Sequence, residues 1–91
     1  MSDTEIEVEI RPAVKPGKIK AFADVRLLLP DGEVFLHGFA VIQQDGKSPW
    51  VGFPQYPGRN KFFPVVEAKG RIHNAIVKAV LDAYREKDEE G

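Results

Sequence analysis

KIKAFADVRLLLPDGEVFLHGFAVIQQDGKSPWVGF, residues 18–53, decides how this chain is read. Ile19, Ala21, Ala23, Val25, Leu27 and Leu29 share one face of an extended segment, and Lys20, Phe22, Asp24, Arg26 and Leu28 share the other. That period of two marks a strand buried on one side. Pro30-Asp31-Gly32 is turn chemistry: proline presets φ, aspartate tolerates the bend and glycine takes a left-handed position. With Gly32 as the bulge of a three-residue loop, Leu27 faces Phe35, Val25 faces His37 and Ala23 faces Phe39, small residues against large. The next strand, Val34 to Gln43, is apolar on both sides, with Val34, Leu36, Ala40 and Ile42 one way and Phe35, Phe39 and Val41 the other. Such a strand is central and wants cover on both faces. Asp45-Gly46 makes a second turn, and Trp50-Val51-Gly52-Phe53 is a short third strand stopped by Pro54.

Upstream, Ile6, Val8 and Ile10 alternate with Glu5, Glu7, Glu9 and Arg11, a further half-buried strand whose acidic side faces solvent. Pro12 and then Pro16-Gly17 lead into a loop. Downstream, residues 55–60 read as a loop and 61–66 as a short strand that Pro64 confines to an edge or an interruption. From about Gly70 to Glu86 the pattern becomes helical. Ile72, Ile76, Ala79, Val80 and Ala83 form an apolar stripe widened by Val77, Leu81 and Tyr84, opposite Arg71, Asn74, Lys78, Asp82 and Arg85. No Ser, Thr, Asp or Asn stands at the helix start to cap its amides. The expected fold is α+β: a four- to five-stranded antiparallel sheet with one C-terminal helix, a single domain over residues 1–86 and a frayed polar tail over 87–91. One helix covers one face of a sheet, so the sheet either curls or meets a second subunit, and a homodimer is the expected assembly.

Ninety-one residues allow one small core. The absence of cysteine excludes disulfides, thiol catalysis and thiolate metal sites, and fits a reducing cytoplasm. The N-terminus carries no basic, apolar leader pattern, and no apolar run approaches the ~20 residues that span a bilayer, so a soluble protein is expected. The formal net charge of −1 conceals an asymmetry. Between Ile10 and Arg85 there are 12 Lys/Arg against 6 Asp/Glu, whereas both ends are acidic. A basic body suits an anion, nucleic acid included; the plainer alternative is a mixed, solvating surface.

Signals for catalysis are weak. His37 lies mid-strand and His73 on the helix near the margin of its apolar stripe. Neither belongs to an H-x-x-x-H or HExxH spacing, and no nucleophile elbow, P-loop or dinucleotide-binding glycine pattern occurs. Asp24 and Asp31 are accounted for as strand-surface and turn residues. Structural or surface histidines, no metal, no cofactor and no enzyme are therefore expected. The basic residues are better organised. Arg59 and Lys61 sit in and beside the loop before the last short strand, Lys69 and Arg71 at the helix entrance, and Lys78 and Arg85 continue the outer helix face. Cations beside uncapped helix amides suit phosphate oxygens, and the interleaved Tyr56, Phe62 and Phe63 could stack on bases. The competing assignment puts those aromatics in the core and those charges on a solvated face.

Taken together, I-x-V-x-I-R near the start, KIKAFADVRL before the hairpin, EVFLHGFAVI after it, WVGFP, and the helix GRIHNAIVKAVLDAY make the chain resemble the SpoVG (stage V sporulation protein G, or septation regulator) family of small bacterial proteins. The resemblance covers roughly Ile6 to Arg85. It implies a homodimer of antiparallel sheets, each with a C-terminal helix, that binds DNA and in some members RNA to regulate gene expression linked to septation or sporulation. Family members carry a Ser–Lys/Arg-rich loop after the proline matching Pro54 and a Ser/Thr–Arg cluster before the helix. This chain has QYPGRNKFF and VEAKGR there. Under the resemblance the phosphate contacts fall to Arg59, Lys61, Lys69 and Arg71, with Lys78 and Arg85 adding long-range attraction. A dimeric protein-interaction module without nucleic acid binding is the alternative.

Overall fold

The computed structural model describes residues 5–14 and 17–90. Its strands are β1 (Glu5–Pro12), β2 (Ile19–Leu29), β3 (Gly32–Ile42), β4 (Trp50–Gly52), β5 (Gln55–Pro57) and β6 (Phe62–Pro64), followed by the helix α1 (Arg71–Glu90). The first four form one antiparallel sheet in the order β1-β2-β3-β4, and β5 and β6 pair separately as a hairpin. The α+β architecture expected of the sequence is therefore the one observed, with the fifth and sixth strands outside the main sheet.

The long hairpin turns more tightly than its sequence suggested. Leu29 pairs with Gly32, so Pro30 and Asp31 alone form the connection. Ala23 does face Phe39, but Val25 faces Leu36 and Leu27 faces Val34. Between these two registers β3 carries one residue more than β2, so that His37 and Gly38 together oppose Asp24. Gly38 has φ 96, the glycine conformation by which a β-bulge absorbs an extra residue.

The bulge shifts the alternation of β3. Val34 and Leu36 before it, and Phe39 and Val41 after it, point to the same side, so the two-faced pattern of β3 splits differently from strict alternation. Cross-strand rows line the helix side of the sheet, Val8–Val25–Leu36, Ile10–Ala23–Phe39 and Ala21–Val41–Val51 with Ile6–Leu27–Val34 at the margin, where Val34 is exposed. Ala21, Ala23, Val25, Phe39 and Val41 are buried, and α1 lays Ile76 and Val80 on them, chiefly across β1 and β4. Burying each larger side chain contributes about 1.5–3 kcal/mol. Ile72 sits at the margin, 36% exposed, so the helix stripe is carried by its middle turns.

Two boundaries differ from expectation. Gln55–Pro57, read as loop, is a strand because Gly58 to Lys61 close a tight turn through a 2.7 Å bond from the Gly58 amide to the Lys61 carbonyl. The helix continues to Glu90, through most of the segment expected to fray. Nothing in Glu86 to Glu90 breaks a helix, and Glu and Lys are good helix formers. Pro16 of the expected Pro16-Gly17 turn lies outside the described residues.

Candidate nucleic-acid interface

One surface that results from this fold is the sheet face that α1 leaves uncovered. Its rows are Glu5–Leu28–Glu33, Glu7–Arg26–Phe35, Glu9–Asp24 and Arg11–Phe22–Ala40–Gly52. Arg26 stands between two carboxylates, 3.2 Å from Glu7 and 2.6 Å from Glu33. The Glu33 contact is ionic, since the Arg26 Nε–H makes no aligned hydrogen bond. Arg26 also covers the Phe35 ring at 5.9 Å. Asp24 accepts a hydrogen bond from Arg11 at 3.1 Å, and the His37 Nδ1 lies 3.2 Å from the same oxygen. Phe22, Phe35, Trp50 and Ile19 are exposed on or beside this face. At its loop end Val14, Ile19, Phe22 and Ile42 line an open, largely apolar hollow of about 750 Å³.

His37 and Asp24 have the spacing of an acid–base pair. They sit with Glu7, Glu9, Arg26 and Phe35 around a shallow hollow of about 270 Å³ that holds no serine, threonine, cysteine or lysine for such a base to activate. The His37 side chain is 69% exposed. His73 is a packing residue: its ring stacks on Phe53 at 5.1 Å, and Phe53 meets Phe39 edge-on at 4.9 Å. Among the described residues no cluster of three or more His, Cys, Asp or Glu could hold a metal. Nor, among them, is any helix long and apolar enough to cross a membrane.

The basic residues that the sequence singles out lie on the hairpin and at and along the helix. Arg59 and Lys61 occupy the tip of the β5–β6 hairpin, whose backbone among the described residues pairs with no other strand. The hairpin is anchored at its base, where the Pro54 carbonyl accepts from the Val65 amide at 2.9 Å and from the Val66 amide at 3.4 Å. Phe63 folds over Gly58, and the Lys61 ammonium lies 5.1 Å from the centre of its ring. Phe62 points to the other side and is 61% exposed. The Tyr56 side chain lies outside the described set. From residue 46 to residue 66 the chain has no acidic side chain, only Lys47, Arg59 and Lys61.

Lys69 and Arg71 flank Gly70 at the helix entrance, where the first turn holds no acid. Arg71, Lys78 and Arg85 are seven residues apart and so run in a line along α1, about 10 Å between neighbours. Lys78 is engaged with Asp82 at 2.7 Å. That hydrogen bond holds the Asp82 carboxyl below its ordinary value against the opposing effect of desolvation, and the charges of Lys78 and Arg85 add lesser contributions in the same direction as the bond. Among the described residues Arg59, Lys61, Lys69 and Arg71 form no ion pair. The structure thus groups the six expected cations on two elements, hairpin and helix, and occupies Lys78 locally. Of the rings that the sequence offered for stacking, Phe62 is the more exposed and Phe63 is turned onto Gly58, a distinction that needed the pairing of β5 with β6.

Comparison with known protein families, curated proteins and solved structures finds no match to this chain.

Proposed function

We propose that this chain is a cytoplasmic nucleic-acid-binding regulatory protein of the SpoVG type, acting on DNA and on RNA in gene regulation linked to septation or sporulation, with no catalytic step. The observation that supports this reading is the separation of charge by element. Carboxylates gather on the uncovered sheet face, where Glu7, Asp24 and Glu33 already bind Arg26 and Arg11. Four cations that form no ion pair among the described residues, Arg59, Lys61, Lys69 and Arg71, stand on the hairpin and at the helix entrance. Phosphate contacts go to Arg59, Lys61, Lys69 and Arg71, and the exposed Lys78 and Arg85 add attraction at longer range.

The test is a salt titration of binding to random duplex DNA and to single-stranded RNA. Replacing Lys69 and Arg71 together by Ala weakens binding to every sequence alike and lowers the salt slope by about 2, one counterion for each lost phosphate contact. Circular dichroism should be unchanged, because both side chains are exposed. Unaltered affinity in that variant removes the pair from the site.

A second reading concerns assembly, and the open sheet face favours it. Four strands about 4.8 Å apart and of 8, 11, 11 and 3 residues present a face of roughly 520 Å² before the relief of its side chains is counted. A standard interface buries about 800 Å² per partner. We therefore propose a homodimer in which this face, with Phe22, Phe35 and Trp50, meets a second copy, leaving hairpin and helix for nucleic acid. A dimer that binds no nucleic acid in low salt would leave the protein-interaction module standing alone.

A further inference from the structure

We infer that the β5–β6 hairpin is a single-strand reader: it stacks an unpaired base on Phe62 and holds the neighbouring phosphates with Arg59 and Lys61. The inference rests on the nucleic-acid reading above and gives it a ligand form. Phe62 has no role in the fold that would explain it, since it belongs neither to the core nor to the residues packed against the core. The hairpin consolidates itself through the other ring, Phe63, which packs on Gly58 beneath the Lys61 ammonium.

The register defines what surrounds Phe62. It pairs with Pro57, and alternation places Gln55 and Pro64 on the same side, all of them exposed. An aromatic ring flanked by two prolines is a flat apolar platform with few rotatable bonds, so little freedom is lost when a ligand settles on it. A base offers its face to such a platform only when it is unstacked, as in a single strand; duplex bases have both faces covered. Charge selects the same class of ligand. The acid-free run around the hairpin attracts a polyanion to this ring. The equally exposed Phe35 does not qualify, because Glu7 and Glu33 stand beside it and repel phosphate.

Fluorescence anisotropy tests the inference, using the full chain with oligothymidylate and oligouridylate of about 12 nucleotides and a duplex of the same length, at ~50 mM salt. Phe62→Ala should weaken single-strand binding about 5- to 150-fold, the loss of one stacked base. Duplex binding should stay within about twofold, Phe62→Trp should restore the single-strand affinity, and Lys61→Ala should weaken both ligands and lower the salt slope by about 1. If the native chain binds these oligonucleotides and Phe62→Ala binds them equally well, the base-stacking inference is overturned and the nucleic-acid reading survives. An equal loss for single strand and duplex also overturns it, because the ring would then act on paired DNA. If the native chain binds none of the three ligands, both proposals fall together.

Discussion

Gly38 holds a backbone angle that other L-residues resist, φ 96, while its side-chain direction is open to ordinary contact with Pro54 at 3.6 Å. Space is therefore not the obstacle to substitution; conformation is. Gly38→Ala should cost about 1–2 kcal/mol of unfolding free energy in urea titrations, and an unchanged midpoint would show that the bulge is not held at that angle. Gly58 presents the opposite case. It makes no use of positive φ, but a Cβ there would overlap the Phe63 ring and come within 2.9 Å of the Lys61 carbonyl. Gly58→Ala should open the hairpin and leave the sheet alone. Amide exchange would accelerate over residues 55–64, while global stability stays within about 0.5 kcal/mol.

Much of the element plan could be read directly from residue pattern. Alternation in Ile6-Val8-Ile10 and in Ile19 to Leu29 marked β1 and β2, and the 3.6 period of Ile76 and Val80 marked the helix. Residue pattern could not place the face of β3. Its apolar residues lie on both sides, so alternation constrains nothing, and one extra residue at His37-Gly38 transfers Phe39 and Val41 to the core side. The cations of the candidate site were visible as residue types, but their separation from the acids depends on which face α1 covers. Within α1, the Lys78–Asp82 pair makes a testable electrostatic contribution. Because the folded carboxyl lies below its unfolded value, the stabilisation is complete above the unfolded value and is lost as pH falls through the folded one. Between neutral pH and about pH 3 the melting temperature should fall less in Asp82→Asn than in the native chain, and the difference should shrink in about 1 M salt. An identical pH dependence in both proteins would show that the pair contributes nothing.

As a whole the molecule is a plate, 40 × 39 × 21 Å, one sheet thick plus one helix. Such a plate has a single covered side, and its uncovered side carries Phe22 at 38%, Phe35 at 56% and Trp50 at 53% exposure. A second copy seated there predicts twice the chain mass in sedimentation at micromolar concentration. Phe22→Glu with Trp50→Glu should return the protein to a monomer without loss of its circular dichroism spectrum, since neither ring lies in the core. A native chain that sediments as a monomer would end the dimer proposal and leave this face open to some other partner. Nucleic acid affinity per chain should fall in the monomeric variant, because two linked binding surfaces hold one polymer more tightly than either alone.

The anchoring of the hairpin at Pro54 has a consequence for how chains of this architecture diverge. Residues 55–64 leave and return at one carbonyl oxygen, so the sheet closes in the same way whatever length of chain is strung between. Lengthening such an excursion costs folding little, roughly 0.6 kcal/mol for each doubling. Descendants of this sequence can therefore lengthen, shorten or recharge the hairpin while the core stays unaltered. The hairpin is thus the segment whose length and charge can change at the least cost to the fold.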